Sequence, residues 1–148
     1  MEKHYFCQEV SIKLKRKATP INRCKSAFEV YNFIKRTYDE DEINTRECAK
    51  VIVMNNDFKV LGYSTISTGG LTEVSVDVRQ IMQLALLTNA TVIAFVHNHP
   101  SGNPTPSEYD NQLTNKIKRA CEVMRIYFLD HVIVTDEAYY SYRDMNKI

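Results

Sequence analysis

Residues 91–100 decide the fold, and they read Thr91-Val92-Ile93-Ala94-Phe95-Val96-His97-Asn98-His99-Pro100. The first six form a continuous apolar run, which is typical of a strand buried on both faces of a sheet. Residues i and i+2 of an extended chain point to the same side, so His97 and His99 are predicted to face one point. Pro100 disfavours the helical conformation for His99 and so keeps the chain extended there. The sequence therefore predicts a buried strand that ends in two imidazoles on one side.

Helical patterns stand on both sides of this strand. Apolar residues recur at helical spacing after Ser26 and again after Asp77, and both residues are suitable N-caps. A further helix is predicted over residues 107–125. The acidic residues 39–42 are expected to form a loop after the first helix.

Two hairpins complete the predicted architecture. Residues 48–54 are rich in β-branched side chains, Asn55-Asn56-Asp57 supplies turn residues, and residues 58–66 return. Residues 127–134 and 139–142 form the second pair near the C-terminus. Helices interleaved with a mixed sheet predict an α/β domain.

Length and charge indicate how the chain is organised. A chain of 148 residues can form one domain with its own core, so we predict an arm over residues 1–24 and a domain over residues 25–148. The arm carries a basic run, formed by Lys13, Lys15, Arg16 and Lys17. We interpret this run mainly as the solvated side of an extended segment, because a handful of lysines neutralises few phosphates. The net charge of +1 likewise lacks the electrostatic footprint of a nucleic-acid binder.

The sequence shows no sign of secretion or of membrane insertion. Its four cysteines are scattered without a C-x-x-C pair, so most are expected to be reduced thiols. The chain opens without a secretory apolar region, and no apolar stretch approaches the roughly 18 residues that a membrane span needs. A cytoplasmic location is therefore expected.

A third candidate ligand follows the two histidines. Zinc prefers imidazole nitrogen and carboxylate oxygen, and a catalytic zinc site has three protein ligands and a fourth position for water. His97, His99 and Asp110 supply that count. Taken alone, Ser107-x-x-Asp110 is an acceptable capping box, and a histidine at a strand end is more often structural than a ligand. Because all these residues occur together at fixed spacing, we favour a metal site, with Ser107 both beginning the helix and aiming its hydroxyl into the site.

The spacing His-x-His, seven residues beginning with Pro, then Ser-x-x-Asp is the JAMM (MPN+) metalloprotease signature. Its form in this chain, His97-Asn98-His99-Pro100-Ser101-Gly102 through Pro106-Ser107-x-x-Asp110, resembles the bacterial RadC family. The resemblance covers residues 25–145 and includes Asp130-His131-Val132-Ile133-Val134. It implies a three-layer deaminase-like α/β (JAB/MPN) fold with a mixed central sheet flanked by helices. It also implies that His97, His99 and Asp110 hold zinc, while Ser107 positions the water and stabilises the oxyanion.

The general base in JAMM proteins is a glutamate on an early strand. Glu47 lies where that residue is expected, at the start of Glu47-Cys48-Ala49-Lys50-Val51-Ile52-Val53. A carboxylate near zinc-bound water can take its proton and later pass it to a leaving amine. The alternative for Glu47 is a solvated charge at a strand start, and Glu73 is the reserve candidate for the base.

Three classes of function remain open. The first is a zinc metallopeptidase or isopeptidase, in which zinc-bound water attacks an amide carbonyl of a peptide or isopeptide substrate. The second is a DNA-repair-associated protein acting on or near nucleic acid, suggested by the family's traditional label. The literal letters His97-Asn98-His99 do not make an HNH nuclease, which spreads its residues over a longer ββα unit. A cytidine deaminase would need Pro-Cys-x-x-Cys beside His-x-Glu, and the sequence contains neither.

The third class is a binding module that retains zinc without catalysis. A structural zinc site is normally closed by four protein ligands, and the nearby spare ligand is His131. We interpret His131 as a core or supporting residue, so its replacement is expected to leave zinc stoichiometry near one per chain. The sequence leaves the oligomeric state open.

Overall fold

A computed structural model of the chain describes residues 22–69 and 75–148. Most of the predicted arm, with its basic run at residues 13–17, lies outside these ranges, as does the reserve candidate Glu73. The division at residue 24 therefore stays a prediction.

The described residues form four helices and five strands. In chain order these are α1 (Ala27–Lys35), α2 (Glu40–Ile43), β1 (Cys48–Met54), β2 (Val60–Thr68), α3 (Val78–Leu87), β3 (Val92–Asn98), α4 (Glu108–Met124), β4 (Tyr127–Val134) and β5 (Tyr139–Ser141). None of the described helices is long and apolar enough to cross a membrane.

The strands form one mixed sheet in the order β2-β1-β3-β4-β5. Strands β3 and β4 are parallel and are joined through α4, whereas the other neighbouring pairs are antiparallel. The predicted buried strand β3 is central, and all seven of its residues are buried. Its carboxyl end, with His97 and Asn98, meets the loop that leads to α4.

Helices cover both faces of the sheet and make three layers. On one face, α1 packs its buried residues Ala27, Val30 and Ile34 against the strands. On the other face, α3 and α4 pack against alternate strand residues such as Val51, Ile93 and Phe95. His97 follows Phe95 by two positions, so its side chain lies on the α4 side of the sheet. The predicted α/β fold with a mixed sheet is confirmed.

Helix starts agree with the sequence, and two details of the predicted elements are wrong. Ser26 and Asp77 cap α1 and α3 as predicted. The acidic segment is not a loop but contains helix α2, because the Asp39 side chain accepts a hydrogen bond from the Asp41 N–H and acidic residues favour a first turn. Strand β2 begins at Val60 rather than at Phe58, whose φ of 58° places it in the turn.

Candidate metal centre

Two histidines project from the end of β3 to the α4 side of the sheet. His97 is 1% exposed, and its Nε2 lies 3.0 Å from Nε2 of His99. The His99 ring is oriented from its other side, where Nδ1 lies 2.9 Å from the backbone oxygen of Asn103. Since a carbonyl oxygen only accepts, Nδ1 of His99 donates this hydrogen bond and Nε2 points to His97. The pair therefore faces one point, as the extended spacing predicts.

Asp110 approaches the same point from the first turn of α4. Its Oδ2 accepts hydrogen bonds from the backbone N–H of Ser107 at 2.7 Å and from the Ser107 hydroxyl at 2.8 Å. Its Oδ1 lies 3.1 Å from Nε2 of His97. The Ser107 hydroxyl in turn accepts a hydrogen bond from the Asp110 N–H, which completes a capping box. The contacts between Ser107 and Asp110 therefore both cap α4 and orient the candidate ligand Asp110.

The ligand atoms of His97, His99 and Asp110 all lie within 4.8 Å of one another. Two imidazole nitrogens and one carboxylate oxygen form a donor set that fits zinc and leaves a fourth position open. The predicted trio could therefore hold a metal ion.

The electrostatics of the trio favour a charged carboxylate. Burial raises the pKa of Asp110, but the contacts of its carboxylate with the His97 and His99 side chains outweigh burial and hold this pKa well below its usual range. Burial lowers the pKa of His99, but its contacts with Asp110, its hydrogen bond to Asn103 and the charge of Glu47 raise it overall. Asp110 is therefore ionised at neutral pH, as a metal ligand must be.

Glu47 precedes β1 and is close enough to His99 for their charges to interact. Strand pairing sets Ala49 opposite His97, and the same antiparallel register places position 47 opposite position 99. Glu47 is 8% exposed, and its backbone oxygen accepts a hydrogen bond from Gly69 at 2.8 Å. It is therefore a buried residue beside the site rather than a solvated charge at a strand start. Its role as base stays a prediction.

Two further residues support this region: His131, interpreted from the sequence as a core or supporting residue, and Asn98, which the sequence analysis did not assign. His131 on β4 is completely buried, with Nε2 2.9 Å from Nδ1 of His97 and Nδ1 2.6 Å from the Thr114 hydroxyl oxygen. Burial holds the pKa of His131 well below its usual range. Asn98 lies between the two histidines in sequence and points to the opposite side of the strand. The available signal in the sequence was a polar residue, Asn98, at the end of a strand that was predicted to be buried.

A mixed sheet between two helical layers, with a buried His-His-Asp group after its central strand, is the arrangement of a JAB/MPN-type domain. Residues 24–147 match the family model described as a RadC-like JAB domain, and the chain belongs to this family.

The chain is similar to several proteins named UPF0758 protein. One from Flavobacterium johnsoniae is 44% identical over 94 residues, which cover 64% of this chain and 41% of the relative. One from Thermotoga maritima is 36% identical over 103 residues, covering 70% of this chain and 46% of the relative. One from Actinobacillus pleuropneumoniae serotype 5b is 31% identical over 144 residues, covering 97% and 60%. The chain thus spans about half the length of the curated relatives it matches.

Proposed function

We propose that this chain is a zinc-dependent hydrolase that cleaves an amide bond in a peptide or isopeptide substrate. His97, His99 and Asp110 would hold the zinc ion, with Glu47 as general base and Ser107 as the residue that supports the oxyanion. The observation that carries the proposal is the buried trio of ligand atoms within 4.8 Å of one another.

The donor set favours a catalytic over a structural site. Three protein ligands leave one position for water or substrate, whereas structural zinc sites are normally closed by four. The remaining nitrogens of the two histidines are engaged elsewhere, with Nδ1 of His99 at the Asn103 oxygen and Nδ1 of His97 at His131. Only the Nε2 atoms of the pair are left for a metal.

Each further residue has a chemical task in this proposal. Zinc, when bound, acts as a Lewis acid that lowers the pKa of a coordinated water to about 7. Glu47 takes a proton from the attacking water and passes it to the leaving amine nitrogen, which prevents the amide from re-forming. Ser107 holds Asp110 in place and, when its hydroxyl turns from Oδ2 to the substrate, donates to the oxygen of the tetrahedral intermediate.

The first experiment measures zinc per chain by elemental analysis, on protein purified without chelator or metal-affinity resin. Wild type and Glu47→Gln are expected to hold about one zinc ion per chain, and His99→Ala much less. Glu47→Gln keeps the shape of the side chain but cannot act as a base, so it separates catalysis from binding. A wild-type protein that cannot be loaded with zinc would contradict the proposal.

The second experiment screens the zinc-loaded protein against quenched fluorescent peptides and lysine-linked isopeptides. Hydrolysis by wild type that is lost in both Glu47→Gln and His99→Ala would support the proposed function. Zinc binding without hydrolysis in either library would instead favour the non-catalytic binding module. The net charge of +1 gives no support to a nucleic-acid substrate, and a duplex DNA binding assay serves as the test of that alternative.

A further inference from the structure

A series of hydrogen bonds begins at Nδ1 of His97, the ring nitrogen that faces away from the Asp110 side chain. Nδ1 of His97 lies 2.9 Å from Nε2 of His131, and Nδ1 of His131 lies 2.6 Å from Oγ1 of Thr114. Thr114 belongs to α4, and its hydroxyl donates to the backbone oxygen of Asp110 at 2.7 Å. This series of hydrogen bonds therefore connects two candidate metal ligands, His97 and Asp110. The connecting residues, His131 and Thr114, are not themselves ligands.

The hydrogen bond from the Thr114 hydroxyl to the Asp110 backbone oxygen indicates where each hydrogen of this series lies. A hydroxyl has one hydrogen, and a carbonyl oxygen only accepts, so the Thr114 hydrogen is used on Asp110. The Thr114 oxygen must then accept from His131, which places a hydrogen on Nδ1 of that ring. His131 is completely buried, and burial favours a neutral imidazole, whose Nε2 then carries a lone pair.

The same reasoning extends to His97. Because Nε2 of His131 can only accept, the hydrogen between the two rings belongs to Nδ1 of His97. A neutral His97 then has its lone pair on Nε2, which lies 3.0 Å from Nε2 of His99 and 3.1 Å from Oδ1 of Asp110. A lone pair at this nitrogen is what a metal ion needs from a histidine ligand.

Aromatic packing holds the His131 ring in the orientation that these hydrogen bonds require. Its ring stacks on Tyr142, with centroids 4.7 Å apart and an interplanar angle of 5°. Phe95 meets the ring edge to face at 4.8 Å. The Tyr142 hydroxyl donates to Asn111 Oδ1 on α4, which holds the stacking partner against the same helix. A flip of the ring by 180° would put carbon atoms where the two nitrogens lie and would break both of its hydrogen bonds.

We propose that Thr114 and His131 are positioning residues that select the metal-binding tautomer of His97, with the hydrogen on Nδ1 and the lone pair on Nε2. This inference deepens the proposed function and rests on His97 being a metal ligand. Removing the Thr114 hydroxyl leaves the His131 Nδ1–H without an acceptor, so the ring gains by moving its hydrogen to Nε2. That hydrogen would donate to Nδ1 of His97 and drive the His97 hydrogen onto Nε2, where the metal should bind.

The test compares Thr114→Val, which keeps the shape but removes the hydroxyl, with Thr114→Ser, which keeps the hydroxyl. Long-range ¹H–¹⁵N spectra of metal-free protein at about pH 8, where ordinary imidazoles are neutral, report which ring nitrogens carry hydrogen. We expect His97 to be protonated on Nδ1 in wild type and Thr114→Ser, and to gain the Nε2–H tautomer in Thr114→Val. A competition assay with a chromogenic chelator is expected to show zinc affinity lowered by about 10- to 100-fold in Thr114→Val alone, at unchanged saturating stoichiometry.

A second pair of variants tests the acceptor directly. His131→Gln can place an amide oxygen near the original Nε2 and is expected to retain most of the zinc affinity. In His131→Leu the affinity is expected to fall by about 10- to 100-fold, with the saturating stoichiometry still near one zinc per chain. The proposal would be overturned if Thr114→Val, shown by circular dichroism to be folded, had the same spectra and the same zinc affinity as wild type. If wild type binds no zinc, the proposed function fails, but the spectra of the metal-free protein still decide whether the tautomer is selected as inferred.

Discussion

The side-chain oxygen Oδ1 of Asn98 accepts a hydrogen bond from the backbone N–H of Cys48 at 2.7 Å. Its Nδ2 donates to the backbone oxygens of Ile43 at 2.8 Å and Arg46 at 2.9 Å. These three hydrogen bonds involve residues that precede and follow Glu47 in the sequence. The residue between the two candidate histidine ligands therefore also fixes the segment that carries the candidate base.

Replacing Asn98 by alanine should affect stability and catalysis more than metal binding. The change leaves one N–H and two carbonyl groups without this partner in a buried site, so we expect the free energy of unfolding to fall by roughly 3 kcal/mol. Zinc affinity should change little, while hydrolysis should fall because Glu47 is no longer held. Urea denaturation, chelator competition and the peptide assay measure the three quantities.

The matched control is Asn115→Ala, an exposed asparagine on α4, which should change stability by less than about 0.5 kcal/mol. Asn98→Asp is informative as well, because it can still accept from Cys48 but cannot donate to the two carbonyls. Hydrolysis by Asn98→Ala at the wild-type rate would show that Glu47 does not depend on these hydrogen bonds.

Ser107 is expected to influence the site in two separable ways. Ser107→Ala removes the N-cap of α4, which should lower the free energy of unfolding by about 1 kcal/mol. It also frees Oδ2 of Asp110, so zinc affinity should fall by about 10-fold. If Ser107 also supports the oxyanion, kcat at saturating zinc should fall by about 100-fold or more. Ser107→Thr keeps a hydroxyl and should preserve most of all three properties, and equal losses in both variants would contradict these roles.

Zinc should stabilise the folded chain through the candidate metal centre. At a free zinc concentration of 100 times the dissociation constant, the free energy of unfolding should rise by about 2.7 kcal/mol. His99→Ala should abolish this increase, since it removes one of the three grouped ligands. Magnesium serves as the control ion, because it prefers oxygen ligands and should not reproduce the effect. A zinc effect that persists in His99→Ala would place the binding elsewhere on the chain.

The periodicity of a sequence predicts which side of a strand or helix a residue faces. This information was sufficient to identify the candidate metal ligands. His97 and His99 are two positions apart in one strand, and Asp110 lies at the start of the helix that follows, so local spacing carries the whole trio. The caps at Ser26, Asp77 and Ser107 could be read for the same reason, because a cap acts within three residues.

Contacts that depend on register between distant segments could not be read in this way. The place of Glu47 beside His99 follows from the pairing of Ala49 with His97, which no local pattern specifies. Likewise Thr114 and His131 are 17 residues apart and meet only because α4 packs on β4. The structure thus adds the supporting contacts around a site whose ligands the sequence already indicates.

Asp130 gives the chain a stability that depends on pH in the mildly acidic range. Burial raises the pKa of its carboxyl from 3.8 to about 6, although hydrogen bonds from the Ser141 hydroxyl and the Arg143 N–H lower it. The folded chain thus holds this proton more tightly than the unfolded chain does. Between pH 3.8 and about 6 the group therefore makes the folded state less stable as pH rises, by up to roughly 3 kcal/mol in total.

The measurement is the free energy of unfolding from urea titrations between about pH 4 and pH 7, for wild type and Asp130→Asn. Other titrating groups contribute equally to both proteins, so the difference between the two curves isolates Asp130. We expect wild type to lose stability relative to Asp130→Asn as pH rises through this range. Ser141→Ala removes a bond that lowers the pKa of Asp130 and should extend the loss to higher pH. Parallel curves for wild type and Asp130→Asn would show that the Asp130 carboxyl has the same pKa in the folded and unfolded chain.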